Sequence, residues 1–450
     1  MTAGTGRPVP LDLAAANAAA WAAAQPGVEV PAPAGRVRLV DGAWRVDGPR
    51  GPVALHARDP QREADCAVAA ALDAQPGAGV LAVIGLGPGY VLDALERRGW
   101  TGRVLAVEIE PDMVATWLAR RDWGPWLSTG RLRVLVAPEF TGASDGWRLF
   151  GDGVREPAVV VNPVLARLHP DRVEAARALV ARVLFDAQAN AEARRAFGGR
   201  YLLNTLGNLR RLAEEGDVAS LAGIAASVPA VVVGAGPSLD RNLDDLRAVQ
   251  HRALVIAVDT AARALLSAGV VPHVIVAVDP SEANARHLAD LPPCPQTCLV
   301  AEGSLDAEAL MAFRGRTFFF CVSDHEPWPW LRAQGCGVGR LRAWGSVLTS
   351  AFDLALLLGC NPVAFAGSDL AFTGDRPYAR GVVYEEDWRR LADWGVPMDA
   401  QWRQQLAAWP RVDEPDVAGH PARTASHLVA FRNWLVDQMQ RDPSRIYANA

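Results

Sequence analysis

The chain has 450 residues, half of them hydrophobic and 21% charged, with a formal net charge of -5 at pH 7. That length provides for two or three domains with large cores, and a weakly acidic surface gives no ground for nucleic acid or an anionic membrane as partner. All 45 basic residues are arginine, which excludes a Walker lysine, a Schiff-base lysine and a lysine general base.

The N-terminal residues 1–10 lack a charged start leading to an apolar run, and no apolar stretch approaches the roughly 18 residues of a membrane span. A cytoplasmic protein with no membrane insertion is expected. Cys66, Cys294, Cys298, Cys321, Cys336 and Cys360 are scattered, and the Cys294/Cys298 pair has no second pair at zinc-site spacing. Reduced thiols are therefore expected, with no metal site indicated, although a divalent ion at a phosphate site stays compatible with the sequence.

Residues 11–24 form an alanine-rich helix pattern, and residues 36–40 and 43–46 alternate around Asp41-Gly42, a hairpin signal. A third strand is expected at 53–56 and a helix over 59–72. A first α/β unit follows. Residues 79–84 read as a buried strand, Gly85-Leu86-Gly87-Pro88-Gly89 as a glycine turn, 90–99 as a helix and 104–107 as a strand ending on Glu108. Residues 171–215 are helical in pattern, with a break expected at Phe197-Gly198-Gly199-Arg200.

The second α/β unit opens with Ala230-Val231-Val232-Val233 and the turn Gly234-Ala235-Gly236-Pro237-Ser238. A short β-branched run ending on small residues is how a buried parallel strand delivers a ligand loop. Gly234 and Gly236 permit close approach of a bound group, Ser238 is placed to cap the following helix, and free amides there attract phosphate. Further strands are expected at 254–258, 272–280, 298–302, 316–322 and 362–369, with helices over 261–268 and 351–358. Polar residues close these runs at Asp259, next to Thr260, and at Asp279, Glu302 and Asp369. In an open parallel sheet such ends share one crevice. Residues 386–450 carry Trp388, Trp394, Trp402, Trp409 and Trp434, read as anchors packing helices on the α/β unit, with a helix over 424–439.

The expected fold class is therefore α/β, with two Rossmann-like domains, a helical linker and a helical C-terminal segment. In numbers this is a helix and hairpin region at 1–60, a first Rossmann-like α/β domain at 61–170, a helical linker at 171–221, a second α/β domain at 222–385, and a helical segment at 386–450.

Both glycine turns resemble those of known families. The Gly85–Gly89 turn followed by Glu108 is similar to the first motif of S-adenosylmethionine-dependent methyltransferases, where the strand-end acid holds ribose hydroxyls. Gly234-Ala235-Gly236-Pro237-Ser238-Leu239, Val278-Asp279-Pro280, and Gly367-Ser368-Asp369 running on to Gly374, Tyr378 and Ala379 together resemble the motility accessory factor (Maf) family, related to the 6-hydroxymethylpterin diphosphokinase MptE. The likeness extends over roughly residues 50–450.

It implies a transferase that moves a nonulosonic acid, of the pseudaminic or legionaminic type, from a CMP-sugar to Ser or Thr of flagellin or another protein acceptor, with no tightly bound cofactor. Gly234, Gly236 and Ser238, with Asp259 and Thr260, would hold the nucleotide, and Asp279, Glu302 and Asp369 would line the same pocket. Ser346 and Thr349, with Ser350, match a Ser/Thr-rich helix start that touches base or sugar carboxylate. Tyr378 with Arg376 or Arg380 would steady the departing CMP, and His420, or alternatively His325, would take the acceptor's proton. A second tyrosine expected just after the strand is replaced by Ala371 and Phe372. The resemblance also leaves open an ATP-dependent pterin diphosphokinase, though Val278-Asp279-Pro280-Ser281 supplies one carboxylate where that activity is expected to carry a magnesium-binding pair. The motifs are compatible too with a methyltransferase acting through the first domain and with a non-catalytic flagellin-binding protein. Further C-terminal structure beyond Ala450 is an expectation of the family.

Overall fold

The computed structural model describes residues 12–151, 153–289, 291–322 and 326–450. It separates into two units, residues 1–193 with 440–442, and residues 194–439 with 443–450.

In the first unit, helix Leu13–Ala24 starts where the Asp12 side chain accepts the Ala15 amide, and its buried Trp21 donates to the Val28 carbonyl at 2.7 Å. Strands β1 (Val37–Val40), β2 (Ala43–Gly48) and β3 (Gly51–Ala54) pair antiparallel in that order. Asp41 and Gly42 both adopt positive φ, 50° and 75°, the geometry that a tight hairpin with the right-handed strand twist demands. Asp59 then caps helix Pro60–Ala74.

The same unit holds a parallel sheet of β4 (Val80–Ile84), β5 (Arg103–Glu108), β6 (Leu132–Val136) and β7 (Ala158–Val161), ordered β6-β5-β4-β7. Every β4 residue is buried, as an apolar run covered on both faces requires.

One helix, Pro170–Gly207, runs unbroken through Phe197, Gly198, Gly199 and Arg200, where the sequence pattern places an interruption. Two glycines cost a helix about 2 kcal/mol in propensity relative to alanine. The long flanking runs of Ala, Arg, Leu and Glu outweigh that cost.

The second unit is built on one eight-stranded, all-parallel sheet: β8 (Gly216–Asp217), β9 (Ala230–Val233), β10 (Leu254–Val258), β11 (Val274–Ala277), β12 (Cys298–Glu302), β13 (Thr317–Phe320) and β14 (Val363–Ala366), joined at one edge by β17, Tyr447–Asn449. The order is β17-β14-β9-β10-β11-β12-β13-β8. Strands β9 to β13 step outward in one direction, and β14 returns to the opposite side of β9, so the order reverses between β9 and β14. Such a reversal opens a crevice outside the carboxyl ends of the two strands.

The C-terminal segment is less purely helical than expected. Helices Tyr384–Asp393, Met398–Ala407 and Ser426–Gln440 are joined by the antiparallel hairpin β15 (Val412–Pro415) and β16 (Pro421–Thr424), and the chain re-enters the main sheet as β17. Of its tryptophans, Trp434 is a buried anchor against Phe352, whereas Trp394 is 88% exposed. The six cysteines are free thiols. Among the described residues, no helix is long and apolar enough to cross a membrane.

Candidate functional site at the carboxyl edge of the second sheet

Because all eight strands run the same way, the residues after β9, β10, β11, β12 and β14 line one edge of the sheet. Gly234, Gly236, Ser238, Asp259, Thr260, Asp279, Glu302 and Asp369 are thus brought to that edge as expected, but their detailed contacts differ from those the sequence suggests.

The glycine turn is shaped by its neighbouring strand. A Cβ on Gly234 would lie 2.5 Å from the Gly367 carbonyl oxygen, and one on Gly236 would lie 2.2 Å from Asp369 Oδ2. The bare backbone is required by the turn after β14. The Gly234 amide donates to the Ala366 carbonyl at 2.9 Å and the Gly236 amide to Gly367 at 2.8 Å. Ser238 occupies the first position before helix Leu239–Val249 but makes no side-chain cap. Its hydroxyl instead donates to Asp369 Oδ2 at 2.6 Å, and its amide reaches the same carboxylate at 3.1 Å. Thr373 adds a third donor to Asp369 at 2.5 Å. Asp369 therefore fastens the two loops that flank the crevice, and three amides expected to be free for phosphate are engaged within the protein.

The second cluster joins residues that follow β10 and β11 to tyrosines that follow β14. Asp259, 1% exposed, accepts from Asn284 Nδ2 at 2.8 Å and from the Thr260 amide at 2.7 Å and hydroxyl at 3.1 Å. His287, 2% exposed, places Nε2 3.1 Å from the Tyr384 hydroxyl. The ring of Tyr384 packs 5.2 Å from that of Tyr378. Burial pushes the Asp259 carboxyl up and the His287 imidazole down, and each charge is favoured by the other. Burial likewise raises Tyr378, and pushes Tyr384 up to about 12, so both phenols are neutral donors at pH 7.

This cluster includes Asn284, His287 and Tyr384, which the sequence pattern alone does not single out. The available signal is Asn284-x-x-His287 in a helical stretch after the β11 strand end, and a tyrosine six residues beyond Tyr378.

Residues 376–383 and the first turn of helix Tyr384–Asp393, up to residue 387, form a strap against the turn after β9. Arg376 pairs with Asp240 at 2.8 Å, the Ala379 amide donates to the Ala235 carbonyl at 2.9 Å, and the Arg380 amide donates to Asp240 at 2.8 Å. The Arg380 guanidinium stands 3.8 Å from the same carboxylate.

The remaining expected residues make local contacts. Glu302 is 3% exposed and turns back on the Ser304 amide and hydroxyl, with desolvation pushing it up to about 7. Asp279 is exposed and caps its own turn through the Ser281 amide. Ser346 caps helix Val347–Leu357. Thr349, expected to touch base or sugar, is fully buried, donates to the Ser346 carbonyl and accepts the Trp344 amide. His420 lies in the β15–β16 turn with a side chain 77% exposed, 3.6 Å from Asp416. His325 falls outside the described residues.

In the first unit, the glycine turn after β4 is filled by the chain itself. A Cβ on Gly89 would meet Trp117 at 2.8 Å, and one on Gly85 would meet Leu165 at 2.7 Å. Glu108, expected to hold ribose hydroxyls, accepts the Gly87 amide and the Glu110 amide, each at 2.9 Å, and burial pushes it up to about 7. A carboxylate so committed and desolvated is a poor ribose ligand.

Comparison with known proteins locates one family. Residues 203–375 match the model of the 6-hydroxymethylpterin diphosphokinase MptE-like family. A stretch of 134 residues is 29% identical to an uncharacterized protein of Treponema pallidum (strain Nichols), covering 27% of this chain and 34% of the relative. The match thus spans about a third of that relative's length. A solved Maf glycosyltransferase from Magnetospirillum magneticum AMB-1 superposes over 96% of this chain and 72% of its own, with 19% identity and a TM-score of 0.45. A superposition this loose, at this identity, says nothing about activity.

Proposed function

Starting from a chain whose residues 203–375 form an MptE-like domain, we propose that the carboxyl edge of the eight-stranded sheet binds a nucleotide and that the protein transfers a nonulosonic acid from a CMP-sugar to a Ser or Thr hydroxyl, flagellin being the candidate acceptor. The observation that supports this best is the Asp259, Asn284, His287, Tyr384, Tyr378 cluster, gathered from three separate segments beside the β9–β14 crevice.

In this reading the acceptor oxygen attacks the anomeric carbon, the bond from that carbon to the CMP phosphate oxygen breaks, and CMP leaves with the electron pair. The step needs donors aimed at the departing phosphate and an acceptor for the hydroxyl proton. Tyr378 and Tyr384 supply neutral phenol donors. With its proton assigned to Nε2, His287 donates to the Tyr384 oxygen and leaves the phenol O–H directed at phosphate. Asp259 and Asn284 hold this arrangement from below, Arg376 and Arg380 provide charge along the strap, and Ser346 lies at the start of a helix that begins on the same edge. The acceptor's proton goes to His420, whose exposed imidazole faces Asp416.

A second reading follows from the description of the matching family: ATP-dependent pyrophosphate transfer. It calls for a divalent ion, and Asp279 is the exposed carboxylate placed to contribute to one. Thermal shifts with CMP, a CMP-nonulosonate and ATP plus magnesium, followed by a transfer assay on flagellin, separate the two. Stabilisation by CMP and the CMP-sugar supports the first reading; a response to ATP plus magnesium alone replaces it with the second.

A further inference from the structure

At the far end of the strap two arginines face the same edge and are held by acidic residues of the strap itself. Arg263 Nη1 lies 2.5 Å from Glu386 Oε1, and Arg286 Nη1 lies 2.8 Å from Asp387 Oδ2. Arg263 is pre-oriented: its Nη2 donates to the Ala289 carbonyl at 3.1 Å, while its buried Nε has no hydrogen-bond partner. Both arginines flank the buried cluster, since Arg286 precedes His287 in the chain and Arg263 lies one helical turn after Asp259. The Arg286 guanidinium holds the Asp387 carboxyl below its usual range. Arg263 Nη2 also reaches the Arg286 carbonyl at 3.5 Å, so the two side chains spring from neighbouring backbone, and each planar guanidinium suits the oxygens of a phosphate, a diphosphate or a sugar carboxylate.

We propose that Arg263 and Arg286 form an anion-binding subsite for the substrate, and that Glu386 and Asp387 occupy it as stand-ins while the strap is closed. This rests on the reading of the edge as a nucleotide-sugar site and names the part of the ligand that the subsite takes: a phosphate or carboxylate. Ligand anions enter by exchanging with the strap's carboxylates. The Arg376 to Asp240 pair holds the other end of the same segment. The side chains of Glu386 and Asp387 are 50% and 40% exposed, so water screens both pairs and an incoming phosphate can displace them.

The test is the double variant Glu386→Gln/Asp387→Asn, titrated with CMP and separately with inorganic pyrophosphate. A merely structural pair of salt bridges would give unchanged or weaker binding when broken. A self-occupied anion subsite gives tighter binding, by about fivefold or more for pyrophosphate, and the gain disappears when Arg263→Gln/Arg286→Gln is added. Unchanged or weaker pyrophosphate binding by a double variant with wild-type circular dichroism overturns the subsite. Tighter pyrophosphate binding with no CMP binding to any variant keeps the subsite and removes the nucleotide reading. CMP binding that is equal in wild type and double variant, with pyrophosphate unchanged, does the reverse. A Gly381→Cys/Ala264→Cys disulfide gives a second readout. A Cβ on Gly381 would lie 3.6 Å from that of Ala264, within bridging range, although Gly381 has φ of 78° and the variant is checked for folding in the reduced form first. Oxidation lowers affinity for both probes and reduction restores it; affinity that is the same in both states contradicts a strap that must move.

Discussion

Asp369 accepts the hydroxyl of Ser238 at 2.6 Å across the reversal point of the second sheet, which ties the turn after β9 to the loop after β14. The same carboxylate takes the Ser238 amide and the Thr373 hydroxyl, so removing it leaves three donors without a partner. Asp369→Ala is predicted to lower stability by about 1–3 kcal/mol and to abolish CMP binding. Thermal unfolding and a titration check both, and a variant that binds CMP normally shows that the fastening is irrelevant to the ligand.

The glycines of the turn make a sharper contrast. Gly234→Ala drives a methyl group to 2.5 Å from a main-chain carbonyl that has no side chain to move aside. It is predicted to destabilise the protein by about 2 kcal/mol or more. Gly199→Ala, at an exposed position of helix Pro170–Gly207 with no atom within 4 Å of the new Cβ, is predicted to stabilise by about 0.5–1 kcal/mol. Chemical denaturation of the two variants tests the opposite signs.

The Gly198-Gly199 pair also shows where local sequence signals stop deciding structure. Local punctuation favours an interruption there, and it is overruled by a helix that extends far on either side. Most strands of the two parallel sheets are legible because they are apolar, β-branched runs buried on two faces, as in Val80–Ile84 and Ala230–Val233, whereas Leu132–Val136, Ala158–Val161 and Gly216–Asp217 are not singled out by the sequence pattern. Tyr447–Asn449 is not, because a three-residue edge strand carries no periodicity and gains its place by pairing with β14. In the site, strand-end acids can be placed on one edge from their positions alone. Which of them faces a ligand cannot, since the burial of Glu302 and the donors brought to Glu302 and to Asp369 are set by the fold and not by the local sequence. His287 and Tyr384 are far apart in the chain, and nothing local marks their pairing.

Tyr384→Phe deletes the donor that the proposed reaction aims at phosphate and leaves the packing against Tyr378 in place. The variant is predicted to keep KM for the CMP-sugar within about threefold while kcat falls by roughly 100-fold. His287→Gln, which keeps a donor near the phenol, is predicted to fall less than His287→Ala. Steady-state kinetics decide it; a change confined to KM contradicts a role in the leaving step.

Asp186, 7% exposed in helix Pro170–Gly207, is pushed up to about 7 from an ordinary value of 3.8 by desolvation. Between those two values the folded chain holds a proton that the unfolded chain has released. The contribution of this group to stability is therefore fully present below pH 3.8 and lost as pH rises through about 7. Asp186→Asn removes that dependence and is predicted to raise stability at pH 8 by an amount on the order of a few kcal/mol at most, with little change near pH 4. Melting curves of wild type and variant across this range test the sign.

Hydrogen exchange with and without CMP bears most directly on the carboxyl edge of the eight-stranded sheet as a nucleotide site. A nucleotide bound there is predicted to protect residues 230–240 and the cluster around 259 and 284–287, to change exchange in the strap at 376–387 and to leave residues 80–110 unaffected. Protection confined to residues 80–110, or no protection at saturating CMP, contradicts a nucleotide site on that edge.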